Sequence, residues 1–193
     1  MNKYKIIAIC GKSAAGKDTF LQHMIQQPNT HEVISCTTRP PREGEVHGKN
    51  YYFISEEEFF AMVNEAKMLE YTHFRDWFYG TATNGLDPNE INIGVFNPEG
   101  VNRIREIPFI DVFVVMISAD DKMRLLRSLN REKNPDVKEI VRRYLEDEAD
   151  FKDFKGVNFF LANNGQGIDP KKAEAVAERI LEEAKCFWAK ETN

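Results

Sequence analysis

The run Lys5-Ile6-Ile7-Ala8-Ile9-Cys10-Gly11-Lys12-Ser13-Ala14-Ala15-Gly16-Lys17-Asp18-Thr19-Phe20 decides the fold. Residues 6–10 are unbroken apolar sequence, the pattern of a strand covered on both faces. They run straight into G-x-x-x-x-G-K, and a helical pattern over 18–27 follows. Strand, glycine loop and helix in that order are the context that gives this motif its meaning. Glycines let the backbone amides turn inward on an anion, the helix N-terminus adds partial positive charge, and Lys17 reaches the outer phosphate oxygens. Gly11, Ser13, Ala14, Ala15, Gly16, Lys17, Asp18 and Thr19 are therefore the candidate residues for holding a nucleoside triphosphate.

Outward from the loop, apolar runs at 32–37, 91–96, 111–118 and 158–162 read as further strands. Helical patterns at 100–106, 120–131, 137–151 and 170–190 lie between and after them. The alternation predicts a three-layer α/β fold with a five-stranded parallel sheet. Residues 50–83 break the rhythm. An aromatic strand at 51–54, an acidic helix at 56–67 and aromatic-rich segments at 70–74 and 77–79 leave no room for crossovers. They predict a small mixed insert over the C-terminal edge of the sheet, where open α/β folds bind ligands. The 193 residues then form one domain. Its core covers 1–37 and 84–193, the insert about 38–83, and a helical lid with a proline at its tip about 127–145.

Composition narrows the class. A chain 42% hydrophobic and 30% charged fits a soluble globular protein. The net charge of −5 excludes a general basic field for nucleic acid. No apolar run approaches the ~20 residues of a membrane span, and residues 1–10 lack the pattern of a signal peptide. Cys10, Cys36 and Cys186 have no metal-ligand spacing, and the scattered His23, His31, His47 and His73 carry no assigned chemistry. The expectation is a reduced, cytoplasmic protein, monomer or homodimer, without nucleic-acid or membrane partners.

A second anion site follows in S-C-T-T-R-P-P-R-E-G-E-V-H-G-K-N-Y-Y-F at 35–53. Arg39 and Arg42, the hydroxyls of Ser35, Thr37 and Thr38, and Tyr51 share one loop marked by Pro and Gly. Guanidinium forks and hydroxyls suit a phosphate dianion. Two anion sites so close together imply that two phosphorylated molecules meet, which points to phosphoryl transfer.

With these residues in view, the chain resembles the guanylate kinases from the glycine loop to about Asn164. The run T-T-R-x-x-R-x-x-E-x-x-G-x-x-Y-x-F at 37–53 is specific to that family. The resemblance implies ATP as donor, Mg2+ as cofactor, and GMP with dGMP as acceptor. It implies that Arg39, Arg42, Tyr51 and Tyr79 hold the acceptor phosphate, and that Ser35, Glu70 and Thr81 face guanine. Guanine N1–H and its 2-amino group would donate to Glu70, and Thr81 would donate to O6. On the residues alone, Glu70 in M-L-E-Y-T reads as an ordinary exposed strand carboxylate, and only the resemblance reverses that. The lid arginines Arg131 and Arg143 would join Lys17 and Arg39 on the transferring group, while Arg124 and Arg127 read as a solvated helix face. Asn163 would lie near the donor adenine, and Tyr52 and Phe53 would pack inside the insert.

Two positions depart from the family. Asp18 stands where a Ser or Thr would ligate Mg2+. It would either hold the metal through a water or serve only as a favourable acid in the first helical turn, and Asp18 and Thr19 are the candidate metal residues. Asn97 ends the 91–96 strand where the family keeps an aspartate near metal and acceptor. Asp18 and Asn97 together resemble the ribose bisphosphate kinases of phosphonate metabolism, which lack the H-G-K-N-Y-Y-F stretch found here. The alternatives are thus a sugar-phosphate kinase or a non-catalytic binding module of the same fold.

Overall fold

The computed structural model describes residues 3–42, 44–131, 133–165 and 170–191. The five-stranded parallel sheet is built from β1 (Tyr4–Cys10), β2 (Thr30–Glu32), β7 (Ile91–Val95), β8 (Ile110–Ser118) and β9 (Phe159–Ala162), in the order β2-β7-β1-β8-β9. β1 is central, with Ile7 opposite Ile93 on one side and opposite Phe113 on the other. Its apolar run is continuous because both faces are covered. Ile7 and Ile9 join Phe20 and Met24 of α1 (Lys17–Met24) and Ile180 and Trp188 of α6 (Pro170–Glu191). Ile6, Ala8 and Cys10 face Val101 and Ile104 of α3 (Pro98–Arg105).

The second sheet has its own hydrogen-bonded order, β4-β3-β6-β5. It comprises β3 (Cys36–Thr37), β4 (Tyr52–Phe53), β5 (Met68–Phe74) and β6 (Trp77–Ala82). Helix α2 (Glu56–Asn64) covers it and starts in a capping box. Glu58 N–H donates to Ser55 Oγ at 3.1 Å and Ser55 N–H to Glu58 Oε2 at 3.0 Å, which satisfies two donors the helix start would otherwise leave open. Phe59, fully buried, anchors the helix against Phe78 and Tyr71.

The run at 32–37, expected as one strand, is two. Val33 N–H still bonds Ile93 O at 2.8 Å. Beyond it the backbone turns away, Tyr52 N–H donates to Ser35 O, and Cys36–Thr37 pairs with β4 and β6. The second sheet therefore takes in residues 36–37, ahead of the expected boundary at 38. Tyr52 also differs from expectation. It is exposed, because β4 is a two-residue edge strand and only alternate side chains of a strand reach its covered face.

Helices α4 (Asp121–Asn130) and α5 (Val137–Asp150) form the expected hairpin. Asp136 caps α5 by accepting Glu139 N–H at 3.1 Å. No helix among the described residues is long and apolar enough to cross a membrane.

Candidate functional site

The glycine loop joins β1 to α1 at the C-terminal edge of the parallel sheet. Two of its glycines are sterically required. A Cβ on Gly11 would stand 2.2 Å from Ile117 O, and one on Gly16, whose φ is 103°, would stand 2.5 Å from Asn163 Nδ2. Lys17 opens α1 and donates from Nζ to Lys12 O at 3.2 Å. Burial pushes its amine pKa down, opposed by the charges of Asp18 and Asp147. A phosphate beside this ammonium would favour the charged form that burial disfavours. Asp18 and Thr19 are exposed in the first turn of α1. Their hard oxygens suit Mg2+, which keeps several waters and needs few protein ligands.

Sequence reasoning missed what holds the loop. Arg124 and Arg127 are not a solvated face. Arg127 donates to Ala14 O, Asn163 O and Gly165 O. Arg124 is 3% exposed, donates from Nε to Ser13 O at 3.1 Å, and meets Asp121, Asp147 and Glu148. Asp147 of α5 in turn accepts Ser13 N–H at 2.7 Å. Asn163 is buried and donates from Nδ2 to Ala15 O at 2.8 Å, so its amide braces the loop. The arginines point inward while Leu126 and Leu129 are exposed. The i, i+3 spacing of Arg124 and Arg127 was the available signal, since it places both on one helix face.

On the insert side, Arg39 is 5% exposed, and its Nη2 donates to both oxygens of Glu45 at 2.9 Å. Its guanidinium lies 5.7 Å from the ring centres of Tyr51 and Phe53. Tyr79 packs edge-on against Tyr51. Arg42 is exposed and donates its backbone N–H to Glu45 Oε2.

Glu70 and Thr81 are register partners across β5 and β6, and both are buried. Thr81 Oγ1 donates to Glu70 Oε1 at 2.7 Å, and Ser35 Oγ lies 3.5 Å from Thr81 Oγ1. Burial raises the Glu70 pKa, opposed by the Thr81 hydrogen bond and the charge of Arg103. The exposed-carboxylate reading of Glu70 therefore does not hold. Helix α3 comes close here, since a Cβ on Gly100 would stand 3.2 Å from Glu70 Oε2. Asn97 caps α3, its Oδ1 accepting Gly100 N–H at 2.7 Å, and is exposed. Its acceptor oxygen thus serves the helix.

Arg131 is exposed just past α4. Arg143 donates from Nε to Glu139 Oε1 at 2.7 Å, and Arg142 meets Glu139 and Glu146. Arg75, from the β5–β6 turn, also pairs with Glu139. Glu139 thereby gathers arginines from insert and lid, and Arg143 is turned onto it and not onto the glycine loop.

Comparison with known proteins finds relatives over most of the chain. The family model described as guanylate kinase matches residues 3–169. The chain is 30% identical over 186 residues to a guanylate kinase of Prochlorococcus marinus, covering 93% of this chain and 96% of that one. It is 28% identical over 181 residues to one from Clostridioides difficile, covering 91% and 88%. Among solved structures, a guanylate kinase from Anaplasma phagocytophilum superimposes with a TM-score of 0.62 at 21% identity, covering 96% of this chain and 87% of that one; at that identity the likeness concerns the fold.

Proposed function

The chain belongs to the guanylate kinase family, and we propose that it transfers a phosphoryl group from ATP to GMP, and to dGMP, giving ADP and the nucleoside diphosphate. The observation that carries the acceptor is the buried Glu70–Thr81 pair. Guanine offers two adjacent donors to a carboxylate and an O6 acceptor to a hydroxyl, and adenine offers neither set. The Thr81 hydroxyl can rotate from Glu70 to O6. Ser35 lies beside it on the same side of the insert.

The acceptor oxygen is already anionic at neutral pH, so the reaction needs no general base. The residues position and neutralise. Lys17 and the loop amides bind the donor phosphates. Arg39, released in part from Glu45, takes the acceptor phosphate with Arg42, Tyr51 and Tyr79. Arg131 and Arg143 reach the transferring group once the lid moves over it, which excludes water as a competing acceptor. Mg2+, held by Asp18 and Thr19, would supply positive charge to the donor phosphates. Asn163 acts as a brace of the loop.

The relatives matched over nine tenths of the chain are named guanylate kinases, which disfavours the sugar-phosphate and non-catalytic readings. ADP release from ATP, measured with GMP, dGMP, AMP and ribose 1,5-bisphosphate in turn, tests the proposal. GMP and dGMP are expected to support turnover, and AMP to fall at least about a hundredfold lower, as sites built on specific hydrogen bonds reject mismatches. Turnover with the sugar phosphate but not with GMP would overturn it.

A further inference from the structure

The phosphate loop already holds an anion of its own. Asp147 projects from α5 so that Oδ2 accepts Ser13 N–H at 2.7 Å, while Oδ1 lies 3.3 Å from Ser13 Oγ. Ser13 N–H belongs to the loop whose amides cradle donor phosphates in G-x-x-x-x-G-K sequences. The carboxylate therefore sits where a phosphate oxygen would be received. Arg124 secures it, with Nη2 on Asp147 Oδ2 at 2.8 Å and Nε on Ser13 O at 3.1 Å. At the adjacent positions, Lys12 of the loop pairs with Glu148 of the same helix at 2.5 Å. The result ties α5, the second helix of the lid, to the glycine loop through charge-assisted contacts.

We propose that Asp147 is an internal phosphate mimic, a positioning residue that latches the lid helix to the loop and is displaced by the donor's phosphates. Two anions cannot share one N–H at hydrogen-bond distance, so the donor must move the carboxylate or forgo that amide. Like charges this close also repel strongly in a partly buried site. Displacement removes one of the three carboxylates that Arg124 faces, Asp147 beside Asp121 and Glu148, and loosens α5, the helix that carries Arg143. Donor binding and release of the lid for its movement over the phosphates are then one event. The proposal rests on the loop being the donor site, as the proposed function states.

Calorimetric titration of the full chain and of Asp147→Asn, with ATP, inorganic triphosphate and GMP, tests it. Asparagine keeps the shape and an acceptor oxygen but loses the charge. ATP and triphosphate are expected to bind about tenfold tighter to the variant, the scale of removing one partly screened like charge, while GMP affinity stays put. Asp147→Glu, which keeps the charge, should not gain. A merely structural role would instead weaken triphosphate or leave it unchanged in Asp147→Asn, and either result overturns the latch. Hydrogen exchange of the parent needs no variant. Exchange over residues 143–150 should quicken when triphosphate alone is added, and slower or unchanged exchange also overturns the latch. If the parent binds neither ATP nor triphosphate, the donor-site reading fails before the latch is at issue.

Discussion

In the parallel sheet, Ile6, Ile7, Ala8, Ile9 and Cys10 are fully buried among aliphatic and aromatic side chains. In the insert, the buried positions include Thr37, Arg39, Glu70 and Thr81 alongside Phe59 and Leu69. The sheet packs apolar layers on both faces and needs no partner. The insert holds polar groups out of water whose hydrogen bonds are local, Glu45 for Arg39 and Thr81 for Glu70. Buried polar groups add little net stability but are costly when a partner is lost. The scaffold is thus stable by apolar burial, and the insert trades stability for a surface that can recognise a nucleotide.

Truncating one fully buried phenylalanine in each region probes the contrast most strongly. Phe20→Ala in α1 should lower the unfolding free energy by about 3–5 kcal/mol in urea denaturation, the usual cost of that truncation. Phe59→Ala, equally buried, should cost less in the global transition, because a small unit with few layers can open by itself. Its loss should appear as a raised KM for GMP. Equal shifts in the global transition with unchanged KM would mean the insert and sheet unfold together.

Lys17→Ala should lower turnover about 10^2–10^3-fold, the range for removing one group that stabilises developing charge, with the melting temperature little changed. Arg39→Ala should act on the KM for the acceptor far more than on that for ATP, since Arg39 is assigned to the acceptor phosphate. A loss falling mainly on ATP would move it to the other substrate.

Glu70→Gln turns one acceptor oxygen into a donor facing a guanine donor, so kcat/KM for GMP should fall on the order of a hundredfold. Selectivity over AMP should shrink, and ATP affinity should hold. The parent also carries a pH signature. Burial raises the folded pKa of Glu70 above its unfolded value, so the folded chain keeps this proton longer. The stability it contributes is present below the unfolded carboxylate pKa and is lost as pH rises through the raised folded value. GMP needs the carboxylate, so its affinity should fall as pH drops through that same window. In Glu70→Gln both trends should flatten, as seen by comparing melting curves and GMP titrations across pH.

The smallest effect is expected from Asn97→Asp. Aspartate caps a helix as well as asparagine does, and its charge at an N-terminus adds a few tenths of a kcal/mol. Stability should stay the same or rise slightly, and the Mg2+ dependence of turnover should shift if the new carboxylate meets the donor phosphates. Superimposable Mg2+ titrations would show that position 97 serves the helix alone.

By itself the sequence determined the glycine loop, the parallel α/β architecture and the aromatic insert. These depend on local order: an apolar run entering G-x-x-x-x-G-K, alternating helical and strand periods, and closely spaced aromatics. Through the family resemblance it also named Arg39, Glu70 and Thr81, although Glu70 read from its neighbours M-L-E-Y-T alone is an ordinary exposed strand carboxylate. Only the tertiary structure decided that residues 32–37 serve two sheets, because one apolar run carries no record of which edge it meets. Only the tertiary structure turned Arg124, Arg127 and Asp147 inward onto the loop. Their partners Ser13, Ala14 and Asn163 are distant in sequence, and a charged side chain on a helix looks solvated until the backbone carbonyls and amides that it satisfies are brought beside it.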